Sequence, residues 1–263
     1  QTRSLGLKRA KVINILSHEN DQNLISLISI NEFDIPTEFN PEAISLAEQA
    51  QPVKISYGRE DLRDINLITV DGEDARDFDD AIWAEEDKNP HNSNGWRMIV
   101  AIADVAHYVS NGDPLDIDAR KRGNSVYFAD RVVPMLPENL SNGLCSLKPN
   151  EDRGCLAVEI IIDQFGHKKS HRFIRGVMRS KARLTYEQLE ETFNGNKNAC
   201  PPEIMKLAKS LRGAYNALSD AREKRGALNI ETVEKVIKIN DNGKIDSILP
   251  RERLESHKVI EEF

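Results

Sequence analysis

INLITVDGEDARDFDDAI, residues 65–82, decides how the chain folds. It opens as an apolar, β-branched run of strand length. It then passes through a dense acidic run and returns to an apolar pair, Ala81-Ile82. Short runs of this kind read as strands. Working outward, residues 98–103 (MIVAIA), 156–162 (LAVEIII) and 173–178 (FIRGVM) repeat the pattern, so the middle of the chain is strand-rich. The second half turns helical. Thr185 opens TYEQLEETF with a capping box completed by Gln188. Residues 201–224 place Ile204, Leu207, Ala208 and Leu211 on one helical face, with Gly226 just beyond the end. Residues 233–239 and 244–249 predict a hairpin around Asp241-Asn242-Gly243, and a last helix starts near Arg251.

Ahead of the acidic run, residues 10–16 (AKVINIL) predict a strand, and Asp21 predicts the cap of a helix carrying Leu24, Leu27, Ile28 and Ile30. Pro41 opens a second helix at its first turn, and residues 51–62 read as a polar loop. No internal repeat and no low-complexity segment interrupts the chain. The expected class is α+β, a mixed sheet with packed helices.

Of the 263 residues, 39% are hydrophobic and 30% charged, enough for a core in one large domain. No apolar run reaches the roughly 18 residues that a membrane span needs, so no membrane contact is expected. The first ten residues carry no apolar stretch of the signal-peptide kind. The absence of an initiator Met points to a processed chain or a fragment. Cys145, Cys155 and Cys200 are odd in number and widely spaced. They form neither a disulfide framework nor a CxxC metal pair, and a reducing cytoplasm is expected. The net charge of −7 lacks the basic footprint common in nucleic-acid binders. A nuclease escapes that argument, because its metal site needs clustered carboxylates.

Asp71, Glu73, Asp74, Asp77, Asp79 and Asp80 put six carboxylates into ten positions. A pair of them about 4 Å apart repels by roughly 1–4 kcal/mol at effective dielectrics of 80 to 20. A divalent cation relieves that repulsion, and Mg²⁺ takes oxygen ligands, often one or two carboxylates with water and a substrate phosphate. A solvated acidic loop is the competing reading of the same run. A Ca²⁺ loop of EF-hand type is excluded: counted from Asp71, the sixth residue is Arg76 and the twelfth is Ile82, where Gly and Glu are required.

DGEDARDFDDA (residues 71–81), then IVAIADVAHYV (99–109), then VVPMLPENLSNGLCSLKPNEDR (132–153) resemble, in this order, the catalytic domain of the ribonuclease II/ribonuclease R family. The resemblance covers nearly the whole chain. It implies an incomplete catalytic domain of RNB type over residues 63–263, preceded by residues 1–62 as the connector that follows cold-shock domains. It also implies that those domains, the rest of the catalytic domain and an S1 domain lie outside this chain. The activity implied is 3′-to-5′ exoribonucleolytic hydrolysis of single-stranded RNA to nucleoside 5′-monophosphates with Mg²⁺, weak or absent in this chain alone. No obligate protein partner is implied.

By the same resemblance Asp71 and Asp80 ligate Mg²⁺, and Asp79 orients the water or holds a second metal. Asp77 completes the cage, and Glu73 and Asp74 stay solvated. Tyr127 matches an aromatic that packs on the 3′-terminal base, a sequence-tolerant contact because every base has a π-face. Ile230 falls where the family carries a second clamping aromatic, and an aliphatic residue there cannot stack. Glu261 matches a glutamate near the terminal nucleotide.

Residues 172–183 (RFIRGVMRSKAR) hold five basic residues and no acid. If extended, they align Arg175, Arg179, Lys181 and Arg183 on one face, either a phosphate track or a solvated strand face. Arg120-Lys121-Arg122 is a shorter run of the same kind. His107 reads as a packed or hydrogen-bonded histidine rather than an acid/base group. Two further readings stay open: a catalytically silent RNA-binding remnant of such an enzyme, and an unrelated metal-dependent phosphoesterase.

Overall fold

A computed structural model of the chain describes residues 11, 12, 15, 24–56, 58–228, 233–240 and 245–263. In chain order these form α1 (Leu24–Glu32), α2 (Pro41–Gln49), β1 (Glu60–Asp61), β2 (Ile68–Asp71), β3 (Asp80–Glu86), β4 (Trp96–Ala103), α3 (Pro114–Arg122), β5 (Val126–Tyr127) and β6 (Val132–Val133). There follow β7 (Asp152–Ile162), β8 (Lys168–Arg179), β9 (Ala182–Thr185), α4 (Tyr186–Phe193), α5 (Pro202–Lys224), β10 (Lys235–Ile239), β11 (Ile245–Pro250) and α6 (Glu255–Glu262). The architecture is α+β.

The main sheet runs β1-β8-β7-β4-β3-β2-β9. Its interior pairs are antiparallel, and both edges, β1 on β8 and β9 on β2, are parallel. Successive side chains of a strand face opposite ways. On β3 and β4, Ala81, Ile99, Ala101 and Ala103 enter one core with Ala43 and Ala47 of α2 and Leu115 of α3. Ile82, Ala84 and Met98 enter a second core with Leu189 of α4, Ile204 and Leu211 of α5 and Val259 of α6. Burial on both faces explains why MIVAIA reads as unbroken apolar sequence. The expected α5 stripe is buried. Gly213 lets that helix seat closely on the sheet, since a Cβ there would stand 2.3 Å from the Trp96 ring.

Several expectations need correction. The stretch 51–62 is not all loop: Glu60 and Asp61 pair in parallel with Gly176 and Val177. Residues 172–183 are not one strand. The chain turns at Ser180 and Lys181, where Ser180 Oγ donates to the Ala182 carbonyl and the Lys181 amide donates to the Leu67 carbonyl. Arg175 and Arg179 therefore lie on β8, while Arg183 lies on β9 at the opposite edge, and no shared face forms. The predicted strand at 10–16, the Asp21 cap and the tip of the β10–β11 hairpin lie mostly or wholly outside the described residues. The three cysteines are buried free thiols.

Asp104, fully buried just past β4, accepts hydrogen bonds from Arg59 at 2.7 Å and from Arg175 at 2.8 and 3.1 Å. This triad ties the turn after β4 to the β1–β8 edge.

Candidate active site

The acidic run links β2 to β3, so Asp71 ends one strand and Asp80 begins its antiparallel neighbour. Phe78 is buried in the α2/α3-side core. An apolar anchor inside a charged run aims its neighbours, Asp77 and Asp79, away from that core. Arg183 Nη2 donates to the carbonyls of Gly72 at 2.6 Å and Glu73 at 2.7 Å, and its guanidinium lies 5.5 Å from the Phe78 ring centroid. The Ala103 amide donates to the Asp79 carbonyl at 2.9 Å. The loop is thus fixed by its main chain, which leaves the carboxylates to face solvent and one another.

They line a cleft of about 730 Å³ together with Tyr127 and Tyr186. Burial raises the Asp71 carboxyl to about 6, helped by the charges of Asp80 and then Asp77. Lost hydration, then Asp77 and Asp80, raises Asp79, and burial raises Asp80. Glu73 and Asp74 are exposed. An oxygen-only donor set whose charges oppose one another suits a hard dication. Among the described residues, however, no three His, Cys, Asp or Glu side chains converge into a ready-made cage. Mg²⁺ does not require one, since water and phosphate usually complete its shell.

Two tyrosines frame the cleft. Tyr127, 64% exposed on β5, donates its hydroxyl to Asp77 Oδ2 at 2.8 Å. Partial loss of hydration at the hydroxyl, then that bond, pushes its phenol up to about 12. Tyr186 follows the Thr185 capping box at the start of α4, and it stacks on His257 at 4.1 Å between ring centroids. Burial, then Asp71 and Asp80, push its phenol up to about 12. Burial, then Arg251, hold the His257 imidazole below its ordinary range. Arg251 also lines the cleft, and its Nη2 lies 3.8 Å from where a Cβ on Gly72 would stand.

Residues 59–263 match the family described as RNB domain. The chain belongs to the RNB domain family. Ribonuclease R of Vibrio parahaemolyticus is 43% identical over 269 residues, covering 99% of this chain and 31% of the relative. Ribonuclease R of Escherichia coli K12 is 39% identical over 259 residues, covering 96% and 31%. Mycoplasma genitalium RNase R, solved in complex with ribose methylated single-stranded RNA, superposes with a TM-score of 0.87 at 28% identity, over 94% of this chain and 38% of that one. This RNB chain spans about a third of the length of the curated relatives it matches.

Within the RNB chain the expected RNA contacts divide. Tyr127 joins the four aspartates at the cleft. Glu261 does not: it pairs with Arg253 and lines a neighbouring cavity of about 400 Å³ that shares Arg251 with the cleft. Ile230 lies outside the described residues. Arg175 is held by Asp104, and Arg179 by Asp152 at 2.7 Å. In the shorter basic run, Arg122 donates to the carbonyls of Pro36 and Glu38 and lies over Phe39. His107 is exposed beside Arg59, in a different groove. Tyr186 and Arg251 were not foreseen. The helix start at Tyr186 was legible, but nothing local in the sequence links either residue to the aspartates.

Proposed function

We propose that the chain carries the carboxylate part of a 3′-to-5′ exoribonuclease site, which hydrolyses single-stranded RNA to nucleoside 5′-monophosphates with Mg²⁺. The observation that carries this reading is that Asp71, Asp77, Asp79 and Asp80 line one cleft beside an exposed tyrosine ring. Membership of the RNB domain family supports the reaction class, and the RNA held by the Mycoplasma genitalium relative supports the substrate class. Asp71 and Asp80 would hold Mg²⁺, with Asp79 alongside. When bound, that ion supplies water activation and charge stabilisation at phosphorus.

The chain's own groups do the rest. Tyr127 offers its ring to the terminal base while its hydroxyl stays tethered to Asp77. Arg251, paired with Glu234 at 3.2 Å, brings a cation to the cleft lining, suited to a phosphate. Asp79, bordered by Asp77 and Asp80, would orient the attacking water and take its proton. A reducing cytoplasm fits three free thiols.

The test is 5′-end-labelled single-stranded RNA incubated with and without Mg²⁺, beside Asp79→Asn. A Mg²⁺-dependent ladder shortening from the 3′ end and lost in the variant supports the proposal. Weak laddering is expected if residues beyond this chain complete the site. RNA binding by both proteins with no cleavage under any condition identifies a silent RNA-binding remnant instead.

A further inference from the structure

Ser146 has no part in the site as described so far, yet it is fully buried directly behind it. Its hydroxyl donates to the Arg76 carbonyl at 2.9 Å and accepts from the Phe78 amide at 3.1 Å. These two main-chain groups flank Asp77 on either side. The next amide, Leu147, donates to the Phe78 carbonyl at 2.8 Å, and the Ser146 carbonyl accepts from Arg153 Nε at 2.8 Å. We infer that Ser146 is a positioning residue: its hydroxyl splints the main chain across Asp77 and so sets the directions of the Asp77 and Asp79 carboxylates.

The physical case is one of satisfaction. Arg76 and Phe78 sit in the connection between β2 and β3, outside any strand ladder. The Phe78 amide is buried, and a buried amide without a partner costs roughly 1–3 kcal/mol. A hydroxyl donates and accepts at once, so one short side chain serves both groups. Ser146 is held in turn: the Arg153 guanidinium is itself mostly buried and also pairs with Glu151. The splint therefore runs from Arg153 through Ser146 to the backbone of the acidic run. Outer partners of this kind typically govern about 10- to 100-fold in metal affinity or activity.

This inference rests on the nuclease reading for its consequence, but not for its geometry, and the experiment separates the two. Wild type, Ser146→Ala and Ser146→Thr are compared by thermal melting, by Mn²⁺ affinity from electron paramagnetic resonance and by backbone amide exchange. Ser146→Ala is expected to weaken Mn²⁺ binding at least about tenfold and to speed exchange at residues 76–80, with exchange elsewhere unchanged. Ser146→Thr, which keeps the hydroxyl, is expected to restore both. Should Ser146→Ala not fold, Ser146→Cys, close in size and a poor donor, takes its place under the same criteria. A folded variant with wild-type Mn²⁺ affinity and a wild-type exchange pattern overturns the inference, as does acceleration spread evenly over the sheet. If the wild type itself binds no Mn²⁺ even with single-stranded RNA present, the nuclease reading fails, and the exchange pattern at 76–80 alone decides for or against Ser146.

Discussion

The Tyr127 hydroxyl and the Asp77 carboxylate are joined by a 2.8 Å hydrogen bond, so the ring proposed to take the terminal base is tethered to one of the cleft aspartates. Stacking of a base on such a ring is worth about 1–3 kcal/mol, or roughly 5- to 150-fold in affinity. In an Asp79→Asn background, expected on the proposed reading to prevent cleavage, Tyr127→Ala should weaken binding of a labelled single-stranded RNA by a factor in that range. Tyr127→Phe keeps the ring and should stay within about threefold. Fluorescence anisotropy measures both.

Burial and its acidic neighbours disfavour the ionised Asp71 carboxylate in the folded chain. Its carboxyl stands at about 6 in the folded chain against 3.8 ordinarily. A raised acid favours the folded state while protonated, and that contribution is lost as pH rises from about 4 to about 6. In EDTA near pH 7, Asp71→Asn should therefore melt above the wild type, by about 2–4 °C for each kcal/mol relieved. The gap should close near pH 4, and Mg²⁺ should raise the wild type alone. Calorimetric melts across pH check the sign.

Asp104 is a structural counterpart. Arg175 and Arg59 pull its carboxyl below the usual range against its own burial. Removing one partner of a buried ion pair leaves the others uncompensated, at about 3–5 kcal/mol. Asp104→Ala should lower the urea midpoint by that much stability, and Arg175→Ala should cost less, because its side chain is 46% exposed.

Gly213 and Trp96 should couple. Gly213→Ala drives a methyl into the indole, whose nearest atom lies 2.3 Å from the new Cβ, and overpacking of this kind costs about 1–3 kcal/mol. Trp96→Phe removes the ring that clashes. The double variant should be more stable than the sum of the two single losses predicts, which a double-mutant cycle in urea reports.

Much of the fold was legible because its signals are local. Thr185 and Gln188 form the capping box their spacing predicts, and the Ile204–Leu211 stripe is the buried face of α5. β3 escaped because its first residue, Asp80, belongs to the acidic run, so charge masked the strand. α3 escaped although Asp113 caps it and Pro114 opens it, because only its basic end drew notice. The parallel pairing of β1 and the turn at Ser180 depend on partners far along the chain, which no window of residues displays. The acidic run stood out by density, but only the family resemblance singled out Asp71, Asp77, Asp79 and Asp80 within it. Tyr186 and Arg251 were not, since only the tertiary fold brings them to that cleft. Arg175 and Arg179 looked available because nothing in their own segment reveals Asp104 and Asp152.

Both layers of the sheet bear on the acidic run. Val70, next to Asp71, is seated in the layer beneath α5, whereas Phe78, between Asp77 and Asp79, is seated in the layer beneath α2 and α3. The separation between these carboxylates is therefore a gauge of how the two layers register against each other. A substitution deep in either layer that slides one past the other reaches the cleft without touching it, and on the proposed reading cation affinity becomes a readout of packing on both sides of the sheet.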